Sequence, residues 1–186
     1  MEKNESLPLG VVIEWRRVDH PWKDHSWLPV AVFAGAPEID SEGPWTRLRD
    51  GEGWVQYHCG TLALQLFRAD TEGYKVNLGQ TPPRVFVVLR DNDDPQGAHD
   101  LLPFLVTANP YEAQHYLDNG EDIVETVSMP EDVIAFVQAF VDANHVEAAF
   151  TKRKRDKAKP QDESFSRIAP VERPRSPTSG RGPGRG

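Results

Sequence analysis

A chain of 186 residues with 38% hydrophobic and 27% charged positions, 16 Pro, 14 Gly and a formal net charge of -8 has room for one folded domain and a tail, and none for a second domain. No stretch approaches the roughly 18 apolar residues of a membrane-spanning helix, and residues 1–6 are polar and acidic, so neither a span nor a cleaved signal is expected and the cytoplasm is the expected compartment. The single cysteine, Cys59, excludes a disulfide framework within the chain and any all-cysteine zinc or iron–sulfur site.

From the amino terminus onward, residues 9–18, 28–34, 54–59, 62–68, 74–78 and 85–90 are short runs rich in Val, Leu, Phe and other aromatics, and they predict strands. Gly/Pro/Asx clusters bound nearly all of them, among them Gly35-Ala36-Pro37, Asp50-Gly51-Glu52-Gly53, Asp70-Thr71-Glu72-Gly73 and Asp91-Asn92-Asp93-Asp94-Pro95. The alternation over 62–68, followed by Thr71-Glu72-Gly73, predicts a hairpin into a strand at 74–78. The period then changes. Asn109-Pro110-Tyr111-Glu112 supplies an N-cap, a proline at the first helical position and a glutamate at the third, predicting a short helix that stops at Asn119-Gly120. One more strand is expected at 123–127. Ser128-Met129-Pro130-Glu131 repeats the capping-box arrangement ahead of a longer helix, whose apolar stripe is Val133, Phe136, Val137, Phe140 and Val141. The expected fold is α+β: an antiparallel sheet or small, partly open barrel with two C-terminal helices.

Charge divides the chain more sharply than hydropathy does. Residues 1–150 hold 10 Lys/Arg against 25 Asp/Glu, whereas residues 151–186 hold 11 against 4. The second segment has Phe165, Ile168 and Val171 as its only large apolar residues, too few to offset the entropy of ordering it. A globular domain over 1–150 and a disordered basic tail over 151–186 are therefore expected.

Little in the chain reads as catalysis. Gly51-Glu52-Gly53 lacks the Lys-Ser/Thr of a phosphate loop and reads as a turn. His58 and Cys59, adjacent on a predicted strand, point to opposite faces and do not readily chelate one ion. Cys59 itself reads as a small buried apolar residue. The acidic run 91–94 lacks the Gly and distal Glu of a calcium loop and reads as an Asx-rich turn. No metal, cofactor or specific nucleic acid is expected, since the body is strongly acidic and would repel phosphate. All five tryptophans, in contrast, fall within the first 54 residues, three of them at positions 15, 22 and 27. Gathered on one surface with Arg16, Arg17 and His20 beside them, Trp15, Trp22 and Trp27 would form a partner anchor or a stacking platform; alternatively they fill the open end of a small sheet.

Several segments together carry a resemblance: Pro8-Leu9-Gly10-Val11-Val12 with Trp15-Arg16, Pro21-Trp22, Trp27-x-Pro29-Val30-Ala31-Val32, the run Val106-Thr107-Ala108-Asn109-Pro110-Tyr111-Glu112-Ala113, and Asn144-His145-Val146-Glu147 with Phe150-x-Lys152-Arg153. Over about residues 8–156 the chain resembles a family of bacterial proteins defined as a domain of unknown function. Members are encoded beside formate dehydrogenase and its maturation factors, and some are labelled molybdopterin-guanine dinucleotide biosynthesis protein A. The residues depart from that label, because Glu14-Trp15-Arg16-Arg17-Val18 stands where such a nucleotidyltransferase has its Gly-rich nucleotide loop. The resemblance implies no catalytic residue. It implies a non-catalytic accessory factor in formate dehydrogenase or molybdenum-enzyme maturation, with dehydrogenase subunits or maturation factors as protein partners. Its binding residues would be Trp15, Arg16, Trp22 and Trp27 as an apolar anchor, Asn109, Pro110 and Tyr111 as a rigid loop, and Lys152, Arg153, Lys154 and Arg155 as an electrostatic tether. Two alternatives stand beside this reading: a pterin- or nucleotide-binding protein in which Trp stacks the base and Arg16, Arg17 or Arg84 meets phosphate, and a pleckstrin-homology-like interaction scaffold.

Overall fold

In the computed structural model, which describes residues 4–146, the chain begins with two long strands, β1 (Asn4–His20) and β2 (Lys23–Ala34), joined by the tight turn Pro21-Trp22. The expected boundary near residue 150 and the basic run Lys152, Arg153, Lys154 and Arg155 lie outside the described residues. β3 (Thr46–Gly51) and β4 (Trp54–Phe67) follow as a hairpin across Glu52-Gly53, where Gly53 takes the positive φ of +75° that the two-residue turn requires. Glycines 51 and 53 thus serve a turn, as their sequence context implies. These strands form an antiparallel sheet in the order β2-β1-β4-β3. A second antiparallel sheet, in the order β6-β5-β7, contains β5 (Arg84–Asp91), β6 (Leu101–Thr107) and β7 (Ile123–Ser128).

Three helices complete the described fold. Of these, α1 (Thr71–Leu78) links the sheets, α2 (Pro110–Asn119) joins β6 to β7, and α3 (Glu131–Asn144) follows β7. The sheets approach each other along β4 beside β6 and β2 beside β7, with no ladder across either seam. The fold is α+β, and its barrel stays open. Its shared core takes Leu9, Val11 and Ile13 from β1, Leu64 and Leu66 from β4, Val85 and Val87 from β5, and Val133, Val137 and Phe140 from α3. Each such side chain stabilises the fold by roughly 1.5–3 kcal/mol relative to exposure.

Four expectations change. Residues 74–78 are helical: Thr71, Tyr74 and Asn77 are buried at a spacing of three, Tyr74 packs edge-on against Phe140, and its hydroxyl accepts from the Phe67 N–H. That docking overrides the strand preference of a short apolar run. The separate runs 54–59 and 62–68 form one strand, because Gly60, at φ +153°, carries the chain through a bulge; a Cβ there would stand 2.8 Å from the Ser41 Cβ. Two strands that were not expected, β3 and β6, are edge strands. Finally, no capping box starts α3. Pro130 is its N-cap, with no side-chain bond, and the Ile134 N–H donates to the Pro130 carbonyl at 2.8 Å.

Candidate functional site

The antiparallel register decides which aromatic residues meet. Trp15 on β1 lies opposite Trp27 on β2, while Ile13 lies opposite Tyr57 on β4, so both tryptophans and the tyrosine arise at one end of the four-stranded sheet. Trp45, just before β3, closes on them. Its ring meets Trp27 edge-on at 5.5 Å and Tyr57 at 6.3 Å, and its indole N–H donates to the Ser41 carbonyl at 3.2 Å. Trp27 is also 6.0 Å from Tyr57. His25 stacks on Trp15 at 5.9 Å and meets Trp27 edge-on at 6.4 Å.

The β5–β6 loop delivers the most distinctive member. His99 lies flat on Trp45, with ring centroids 3.6 Å apart and planes within 13°. Its Nε2 is buried and has no hydrogen-bond partner. Burial pushes the His99 pKa down, partly offset by Asp100, so the ring favours its neutral form. A small cavity of about 90 Å³ adjoins the stack, lined by Trp27, Trp45, Ala98, His99, Asp100 and Leu101. The loop itself is shaped by Asx bonding: Asn92 Oδ1 accepts from the Asp94 N–H, Asn92 Nδ2 donates to the His99 carbonyl, and Asp94 Oδ1 accepts from the Gln96 N–H. The acidic run therefore builds the turn that presents His99.

The three tryptophans at 15, 22 and 27 do not form one patch. Trp15 and Trp27 are half-buried in the aromatic cluster, whereas Trp22 sits at the β1–β2 hairpin tip with 89% of its surface exposed. Strand alternation also takes Arg16 away from Trp15. Its guanidinium bonds Glu14 at 2.7 Å, Glu14 accepts from Gln56 at 2.7 Å, and Gln56 accepts from Arg49 at 2.7 Å, making a polar ladder across three strands. Burial opposes ionisation of Glu14, but the bonds from Gln56 and Arg16 and the charges of Arg16 and Arg49 hold its pKa below the ordinary value.

Asn109, Pro110 and Tyr111 begin α2 instead of forming a free loop. The Asn109 side chain is buried and accepts from the Tyr111 N–H at 3.0 Å; Pro110 opens the helix, and Tyr111 is 61% exposed. Glu112 does not reach back to the cap. It accepts from the Thr107 hydroxyl, whose oxygen in turn accepts from the Asn109 N–H at 3.0 Å. Asn109 is therefore spent on capping, which leaves Tyr111 as the accessible member of the three. Trp45, Tyr57 and His99 were not singled out by sequence as site residues. Tyr57 joins the cluster through β1–β4 pairing, Trp45 through β3–β4 pairing, and His99 through a loop whose path no local pattern reveals.

Among the described residues no group of three or more His, Cys, Asp or Glu could hold a metal ion, and no helix is long and apolar enough to cross a membrane. The profile of the family described as "Protein of unknown function (DUF3305)" matches residues 8–154. The chain belongs to that family. Neither a curated protein nor a solved structure matches it.

Proposed function

We propose that this member of the DUF3305 family is a non-catalytic accessory factor that binds a protein partner through the β1–β2 hairpin, in the maturation of formate dehydrogenase or another molybdenum enzyme. The observation that carries the binding reading is Trp22, a residue 89% exposed at the hairpin tip. An indole left in water gains more from burial in a partner than almost any other side chain, and tryptophan is enriched among binding hot spots. Leu28 and Val30, both exposed on the edge strand β2, extend the apolar character along the same hairpin. The dehydrogenase assignment rests on the resemblance described above. Affinity purification of the tagged chain and its Trp22→Ala variant from native cells, followed by mass spectrometry, tests both parts. Dehydrogenase subunits or maturation factors should be recovered with the parent chain and lost with the variant. Equal recovery would remove the hairpin from the account, and recovery of neither protein class would remove the maturation role.

A second reading draws support from the Trp45–His99 stack. A flat heterocycle such as a pterin could take the place of the His99 ring on Trp45, and because Nε2 is buried and unbonded, swinging the ring away breaks no hydrogen bond at that nitrogen. The adjoining space, at about 90 Å³, is too small for a ring system while His99 stays in place. On this reading pterins or guanine nucleotides should quench Trp fluorescence and raise the melting temperature, more strongly in a His99→Ala variant. No change in either protein would eliminate it.

A further inference from the structure

Three cavities run end to end beside the open seam between β4 and β6. The first, of about 290 Å³, shares Leu62 and Phe104 with the second, of about 250 Å³; the second shares Gln65 and Phe67 with the third, of about 180 Å³. They form a groove whose middle is lined mostly by apolar side chains, with Glu112 beside them, and whose ends are acidic: Glu42, Asp91 and Asp93 at one, Glu5 at the other. Among the described residues that line it, the sole Lys or Arg is Arg90, and its charge is engaged. Arg90 makes two bonds to the buried Asp122, at 2.7 and 3.1 Å, and lies over the Phe104 ring at 3.6 Å.

The β4 edge here carries unused backbone. β3 pairs with β4 only from Trp54 to His58, which leaves β1 as the sole ladder partner of the rest of the strand. The Thr61 N–H donates to the Ile39 carbonyl and the Phe67 N–H to the Tyr74 hydroxyl, so the odd-numbered residues of this stretch turn their backbone polar groups away from β1. Ala63 and Gln65 lie between them in the same phase, side the groove, and have no ladder partner among the described residues. On the facing edge strand β6, Pro103 has no N–H to offer. Proteins commonly blunt such an edge with a proline or a charge; β6 has one at Pro103, and β4 has none at Ala63 or Gln65.

We infer that this groove binds an extended segment of a partner protein by strand addition to β4, the segment having an apolar centre of about three or four residues flanked by Lys or Arg on both sides. Its main chain bonds Ala63 and Gln65, its apolar side chains contact Phe67 and Phe104, and its cations meet the acidic ends. This site is independent of Trp22.

The probe is a fluorescein-labelled peptide, KRVFVTRK amide, titrated into the full chain. Saturable binding is expected, with slowed amide hydrogen exchange at Ala63 and Gln65. Backbone N-methylation of the two peptide valines, which preserves charge but blocks strand pairing, should weaken it by at least about tenfold. Ala63→Pro should do the same, because the lost N–H is not used by β1. Asp91→Asn with Asp93→Asn should weaken binding and flatten its salt dependence, providing a test should Ala63→Pro fold poorly. Trp22→Ala should leave the affinity unchanged. Equal affinity of the N-methylated peptide would overturn the proposal in favour of a purely electrostatic contact. Self-association that excludes the peptide would overturn it by giving the groove to a second copy, as would no saturation at about 1 mM.

Discussion

Cys59 occupies the extra position of the β4 bulge, since Val11 pairs with Gly60 and Val12 with His58. It is fully buried, its thiol donates to the Tyr57 carbonyl at 3.3 Å, and burial pushes its pKa up to about 12. A thiol that does not ionise near neutrality is a poor nucleophile. Native protein at pH 8 should therefore leave a disulfide-exchange reagent unreacted, and one thiol should appear on adding urea; rapid native labelling would mean the bulge opens. His58, beside it, is 2% exposed, and its Nε2 lies 3.1 Å from the Gly60 carbonyl. A carbonyl can only accept, so Nε2 carries the proton of a neutral ring. Burial lowers the His58 pKa from 6.5, against the opposing pull of the Gly60 carbonyl, and His99 shifts in the same direction. The unfolded chain then binds protons more readily than the folded one as pH falls below about 6.5. The stability that His58 contributes is full above that value and is lost as pH drops through the lower folded pKa. Urea midpoints should fall as pH drops below about 6.5, and His58→Leu should flatten part of that slope; a slope unchanged by the variant would place the titration elsewhere.

Among the elements, α1 shows where sequence was and was not informative. The apolar alternation of β4 and the stripe of α3 were legible because each side chain there faces either core or solvent with the period of its own element. So was the start of α2, whose signal, Asn109-Pro110, is local. Helix α1 was not, because what fixes it is remote. Asn77 is fully buried, donates to the carbonyls of Arg84 and Ala108 at 2.7 Å, and accepts from the Arg84 N–H at 2.9 Å. These three bonds tie the helix to β5 and to the end of β6, and no periodicity in 71–78 announces them. Asn77→Ala strands two carbonyls and one N–H in the interior and should cost about 2–4 kcal/mol in urea unfolding; a loss below about 1 kcal/mol would mean that water replaces the amide. β6 was hidden by Pro103, which lowers strand propensity yet is tolerated on an edge. The same limit applies to the site. Five tryptophans in 54 residues are countable, but the gathering of Trp15, Trp27 and Trp45 into a half-buried cluster, with Trp22 left at an exposed tip, depends on register.

For the whole molecule, the aromatic cluster and the exposed Trp22 have opposite consequences. Trp27 and Trp45 pack against the core and against each other, so truncating either should destabilise the fold. Trp22 stands free of that packing, and Trp22→Ala should change stability by less than about 0.5 kcal/mol while abolishing partner recovery. A photo-crosslinking phenylalanine placed at position 22 of the full chain in native cells tests the partner claim most directly. A covalent adduct containing a formate dehydrogenase subunit or a maturation factor is the predicted product, with none from the same probe at the exposed Leu117. Crosslinks from position 22 no more specific than those from Leu117 would contradict the account.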